Sequence, residues 1–189
     1  VSQGAAEKTI VFLGTSLTAG LGLDPDSAYP AVLQRKIDSA GLGYTVVNAG
    51  VSGESSAGAL RRIDWLLRQP PVVLVIETGA NDGLRGQDPD SIRANIQALV
   101  DRTRARAPEV RIAILGMEAL PNLGADYARR FHAIYPAVAR ANQIPLVSFL
   151  LAGVGGVDSL NQQDGIHPTA AGARIVADNV WKVLRPMLQ

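Results

Sequence analysis

Cysteine is absent from this chain, which excludes disulfides, zinc–thiolate sites and cysteine nucleophiles. Aromatic residues make up only 5% of it, too few to suggest an aromatic platform for sugars. No apolar run approaches the roughly 18 residues of a membrane span, so no integral membrane segment is expected. Excess charge is missing too: 18 lysines and arginines against 17 aspartates and glutamates leave a net charge of +1. That balance argues against a surface devoted to nucleic acid or anionic membrane. The densest basic run, Arg102, Arg104 and Arg106, reads as a solvated helix end, where cations meet the negative end of the dipole. Histidine occurs only twice, at His132 and His167.

What remains is an ordinary globular composition, 47% apolar and 19% charged over 189 residues. It implies one domain spanning residues 1–189 with a sizeable core. Residues 1–8 are expected to form a flexible N-terminal segment. The opening Val1-Ser2-Gln3-Gly4 suggests a mature terminus left by export, hence a periplasmic or secreted protein, with a cytoplasmic one as the alternative.

Short apolar runs alternate with helical periodicity. Strands are expected at Thr9–Leu13, Tyr44–Val47, Val72–Ile76, Arg111–Leu115 and Leu146–Phe149. Helices are expected at Tyr29–Ala40, Ser56–Gln69, Pro89–Arg106, Tyr127–Asn142 and Thr169–Leu188. Asp88 or Asp90 is a candidate cap for the third of these helices, and Pro136 should bend or break the fourth. Strands alternating with helices imply parallel pairing by right-handed crossovers. The expected fold is therefore α/β, a three-layer α/β/α sandwich with a flavodoxin-like five-stranded parallel sheet in the order 2-1-3-4-5. In that order the loops after the first three strands meet at the switch point, where open α/β sheets place ligands.

Chemistry-bearing residues fall on those loops. Ser16 follows the first strand in Gly14-Thr15-Ser16-Leu17, Gly53 follows the second, and Asn81 follows the third in Gly79-Ala80-Asn81-Asp82. Asp164-Gly165-Ile166-His167-Pro168 precedes the last helix. A serine hydroxyl needs a base, and imidazole ordinarily titrates near neutrality. An acid three residues upstream across a glycine turn can bond Nδ1–H and leave Nε2 facing the serine. Ser16, Asp164 and His167 are thus the candidate catalytic residues. The N–H groups of Ser16 and Gly53 and the side-chain amide of Asn81 are the candidate oxyanion donors. Each group singly has a plainer reading as turn chemistry or a local cap, and Thr18 stands where a G-x-S-x-G elbow would need glycine. Their joint placement favours acyl transfer. Pro168 is expected to open the last helix with His167 at its lip. His132, beside Arg129 and Arg130, reads as a surface or packing residue.

These four ordered blocks resemble the SGNH, or GDSL-type, serine hydrolases, and the resemblance runs over residues 9–188. The segment Ile76–Gly83 and the stretch Gly116–Pro136 are most similar to the bacterial thioesterase I, arylesterase and lysophospholipase group. The resemblance implies a flavodoxin-like sandwich, a Ser16–His167–Asp164 triad and an oxyanion hole of Ser16, Gly53 and Asn81. One departure stands out: the family usually carries aspartate before the nucleophile, and here Thr15 stands there. Retained chemistry with an altered loop network is expected.

The implied activity is hydrolysis of carboxylic esters or thioesters with short-to-medium acyl or aryl groups, through an acyl-enzyme, without cofactor or metal. The expected partner is a small-molecule ester and no nucleic acid. Leu120, Pro121, Asn122 and Leu123 after the fourth strand are candidate edges of an acyl pocket, as are Phe149, Leu150, Leu151 and Val154 after the fifth. Two other readings compete. One is a carbohydrate O-acetylesterase; the other is a flavin- or phosphate-binding domain of the same fold, with Thr15, Ser16, Thr18 and Gly20 around the phosphate.

Overall fold

Five parallel strands run in the order β2-β1-β3-β4-β5 in a computed structural model that describes residues 8–189. They are β1 (Lys8–Gly14), β2 (Tyr44–Gly50), β3 (Val73–Glu77), β4 (Arg111–Leu115) and β5 (Leu146–Val147). The flexible segment expected at the N-terminus lies outside the described residues, except that Lys8 already belongs to β1. β3 and the end of β1 are buried throughout, as central parallel strands must be when helices cover both faces. β2 is an edge strand, exposed at Thr45, Val47 and Asn48. That mixture ends its apolar signal at Val47, yet the ladder with β1 runs on to the Gly14–Gly50 pair.

The helices are α1 (Ser16–Ala19), α2 (Tyr29–Ser39), α3 (Ser56–Leu66), α4 (Ala80–Leu84), α5 (Pro89–Arg106), α6 (Ala125–His132), α7 (Ile134–Asn142) and α8 (Ala170–Leu184). α2 packs with α8 on one face of the sheet, and α3, α5 and α7 pack together on the other. Phe12, Leu33, Ile37, Leu74, Ile76 and Ile96 are among the side chains fully buried between the layers.

Several local expectations needed correction. The break expected at Pro136 in the helix over Tyr127–Asn142 does divide it into α6 and α7, but it falls earlier, at Ala133. Pro136 has no N–H for the carbonyl of His132 and its ring crowds that turn, so the break falls one turn ahead of the proline. β5 shrinks to two residues, and its chain then bends so that Leu150 N–H bonds Gly116 O at 2.8 Å. Asp88 holds the cap position of α5, but its side chain makes no cap bond; with Asp90 it pairs instead with Arg130. Thr169, not Pro168, starts α8: its hydroxyl accepts from Gly172 N at 3.2 Å. Pro168 lies one residue earlier, in a bridge with Asn161.

Candidate active site

α1 begins at Ser16, one residue after β1 ends, so the serine N–H is a first-turn donor with no helical carbonyl to reach. Ser16 is 8% exposed, and its Oγ lies 2.8 Å from Nε2 of His167. On the far side of the ring, Nδ1 lies 2.6 Å from Asp164 Oδ2. The other Asp164 oxygen accepts from the backbone N–H groups of Ile166 at 2.9 Å and His167 at 3.0 Å. Those bonds, the His167 N–H foremost and then its ring, hold the Asp164 carboxyl down at about 2. An ionised Asp164 places the proton on Nδ1 and leaves Nε2 to accept from the serine hydroxyl. The loop is pinned from below: Gln162 N–H bonds His167 O at 2.7 Å, and the Gln162 side chain bonds Leu21 O at 2.8 Å and Pro168 O at 2.9 Å.

The other blocks arrive from the neighbouring strands. Gly79 turns the chain out of β3 with φ +99, and a Cβ there would stand 2.5 Å from the Tyr135 hydroxyl, so both conformation and space demand glycine. Two residues later the Asn81 side chain donates one N–H to Glu54 O at 2.9 Å, leaving its second for the cleft. Gly53 O accepts from Arg85 at 2.9 Å. Arg62 grips both Glu54 carboxylate oxygens at 2.7 Å and Ala49 O at 2.8 Å. Asp82, buried, takes Ser56 N–H at 2.8 Å and the Ser56 hydroxyl at 2.6 Å. The exits of β2 and β3 are thus cross-tied.

Ser16, Gly53, Asn81 and His167 all open onto one cleft of about 470 Å³. Its remaining walls are largely apolar, with Leu17, Leu21, Met117, Leu120, Phe149 and Leu151 prominent.

The sequence model of the GDSL-like lipase/acylhydrolase family matches residues 12–175. The chain belongs to this family. The esterase TesA of Pseudomonas aeruginosa is 41% identical over 189 residues, covering 100% of this chain and 93% of the relative. A thioesterase 1/protease 1/lysophospholipase of Escherichia coli is 34% identical over 187 residues, covering 98% of this chain and 88% of the relative. A crystal structure of TesA superposes with a TM-score of 0.90 at 40% identity, covering 95% of this chain and 99% of that one. Membership sets aside the flavin-binding reading of the loop after β1.

Within this acylhydrolase, the residues expected to line an acyl pocket divide. Leu120, Phe149 and Leu151 face the cleft. Leu150 and Val154 do not: both are 0% exposed and buried in the core, Leu150 because the bend after β5 turns it inward. Pro121, Asn122 and Leu123 form a short 3-10 turn beyond the cleft wall. Sequence reasoning passed over Leu17, Leu21 and Ile166 as lining residues, although each lies within five residues of Ser16 or His167. Nearness in sequence to the reactive residues was the usable signal. His132 is exposed and pairs with Glu118 at 2.6 Å. Thr15, where the family usually carries aspartate, is 1% exposed, and its hydroxyl turns away from α1 towards Glu77.

Proposed function

We propose that this acylhydrolase is a serine esterase that cleaves carboxylic esters and thioesters of short-to-medium acyl or aryl groups. The carrying observation is the continuous relay Ser16 Oγ to His167 Nε2 at 2.8 Å and His167 Nδ1 to Asp164 at 2.6 Å. Ser16 Oγ attacks the acyl carbonyl while Nε2 takes its proton, and Asp164 stabilises the imidazolium. Negative charge then develops on the carbonyl oxygen, met by the N–H groups of Ser16 and Gly53 and the free amide N–H of Asn81. Collapse breaks the bond to the alcohol or thiol, which leaves with the proton from His167. Water, deprotonated by the same ring, attacks the acyl-serine and frees the acid. The apolar cleft beside Ser16 takes the acyl chain, and the names of the relatives, esterase and thioesterase, agree with that assignment.

The mechanism uses side chains, backbone N–H groups and water, so a chelator is expected to leave the rate unchanged. Hydrolysis of p-nitrophenyl esters of increasing acyl length, beside acetylated sugars and beside Ser16→Ala, tests the reading. The expected result is cleavage of the p-nitrophenyl esters by the wild type and loss of about 10⁴-fold or more in the variant. Equal rates in the two proteins would refute it, and a preference for acetylated sugars would make the protein an O-acetylesterase. A periplasmic or secreted location belongs to the same proposal; activity that fractionates with a cytoplasmic marker in the native host would overturn it.

A further inference from the structure

One carboxylate plays no part in that mechanism and is out of reach of water. Glu77, the last residue of β3, is 1% exposed. Its Oε2 accepts the Thr15 N–H at 2.7 Å and the Thr18 hydroxyl at 2.9 Å. The Thr15 hydroxyl lies 2.9 Å from both carboxylate oxygens. Because Thr18 spends its proton on Glu77, the Tyr29 hydroxyl, 2.7 Å from Thr18 Oγ1, is the donor of that pair. Thr15, Thr18 and Tyr29 are all buried. Gly14 makes room for the cluster: a Cβ there would fall 1.9 Å from Thr18 Oγ1 and 2.9 Å from Glu77 Oε2.

The arrangement is a costly way merely to fill space. Burying a charge disfavours folding unless hydrogen bonds compensate, and burial does push the Glu77 carboxyl above its ordinary value, against the Thr15 and Thr18 bonds that hold it down. The cluster closes on the two residues that bracket the serine. Thr15 occupies the cap position of α1, yet its side chain makes no cap bond and serves Glu77 instead. Glu77 therefore anchors Thr15 through N–H and Oγ1, while Ala19 N–H holds Thr15 O at 2.9 Å. The peptide plane that carries the Ser16 N–H is held at its carbonyl by Ala19 and, through the preceding residue, by Glu77.

We propose that Glu77 is a positioning residue for the nucleophile, holding the Thr15–Ser16 peptide so that Ser16 N–H and Oγ keep their aim at the oxyanion and at His167. The inference rests on Ser16 being the nucleophile. A misplacement near 1 Å at a reacting group costs on the order of 10²-fold in rate, and one lost oxyanion donor costs about 10²–10³-fold. These losses fall on kcat, because Glu77 does not line the acyl cleft.

The test compares kcat, KM and Tm of the wild type with Glu77→Leu, Thr15→Val, Thr15→Ser, Ser16→Ala and Val75→Ala, using one p-nitrophenyl ester. Glu77→Leu should lower kcat about 100-fold and Thr15→Val about tenfold, with KM within about twofold. Thr15→Ser, which keeps the hydroxyl, should restore kcat to within about twofold of wild type. Val75→Ala, a core truncation in the same strand, should lose Tm and keep its kcat. A wild-type kcat in Glu77→Leu, or an equal kcat loss in Val75→Ala, overturns the proposal. If Glu77→Leu does not fold, Thr15→Val decides, since it leaves the β3 core intact, and a wild-type kcat there overturns the proposal. An inactive wild type, or a Ser16→Ala that matches it, refutes the esterase reading itself. An active wild type, a dead Ser16→Ala and an unaffected Thr15→Val refute only the role of Glu77.

Discussion

Asp164 and Glu77 are both carboxylates, and their surroundings push them in opposite directions. Asp164, near solvent and bonded by the His167 N–H and ring and the Ile166 N–H, is held at about 2 against an ordinary 3.8. The folded state therefore binds its proton less readily than the unfolded state. The stability it contributes is complete above the ordinary value and is lost as pH falls towards about 2. Asp164→Asn lacks that term, so the Tm gap between wild type and variant should narrow over the same descent; a constant gap would contradict the assignment. In rate, the same variant should fall by about 10⁴-fold, as when the orienting acid of a triad is neutralised. Glu77 has the reverse sign: burial raises its carboxyl, so its ionisation erodes stability as pH rises through the raised value. Tm measured across pH should shift in favour of Glu77→Gln on the alkaline side even as that variant turns over more slowly. His132, out on the surface with Glu118, supplies the contrast: His132→Ala should retain kcat to within about twofold.

Among the elements, the turns that deliver the reactive groups are more constrained than the strands they follow. Gly79→Ala would force a Cβ into a left-handed conformation at φ +99 and against the Tyr135 hydroxyl. A loss of about 1–3 kcal/mol is expected by denaturant titration, together with a lower kcat as Asn81 moves. A neutral result would mean that the α4 turn can relax. α8 offers a milder case. Thr169→Ala deletes the cap on Gly172 N and should cost about 1 kcal/mol. α6 and α7 show how such constraints appear in sequence: Pro136 announced a discontinuity, and its chemistry put the break a turn earlier, at Ala133.

At the scale of the fold, the strand order brings the exits of β1, β2 and β3 side by side, and the cleft forms above them. The walls contributed after β4 and β5, Leu120 and Phe149 among them, line the same cleft as Ser16. Leu120→Trp should therefore shift the acyl-length optimum to shorter chains with little change in Tm, read from the same p-nitrophenyl series; an unchanged optimum would place the acyl chain elsewhere. Much of this was legible in the chain. Short apolar runs located the strands, helical spacing located α2, α3, α5 and α8, and their alternation implied the parallel order. Ser16, Gly53, Asn81, Asp164 and His167 stood out because turn chemistry and reactive groups coincide there. These signals are local, and hydrophobic periodicity and turn preference act over a few residues. Facing and pairing across the sheet are not local. Leu150 went to the core because the chain bends after a two-residue β5. Glu77 stood just past the apolar run that ends at Ile76, and only the pairing of β3 beside β1 set its carboxylate under Thr15, 62 residues away. Composition and spacing specified which groups exist and roughly where the chain turns. Packing of the layers specified which buried polar groups meet, because a hydrogen-bond partner inside a protein is chosen by the three-dimensional neighbourhood that desolvates it.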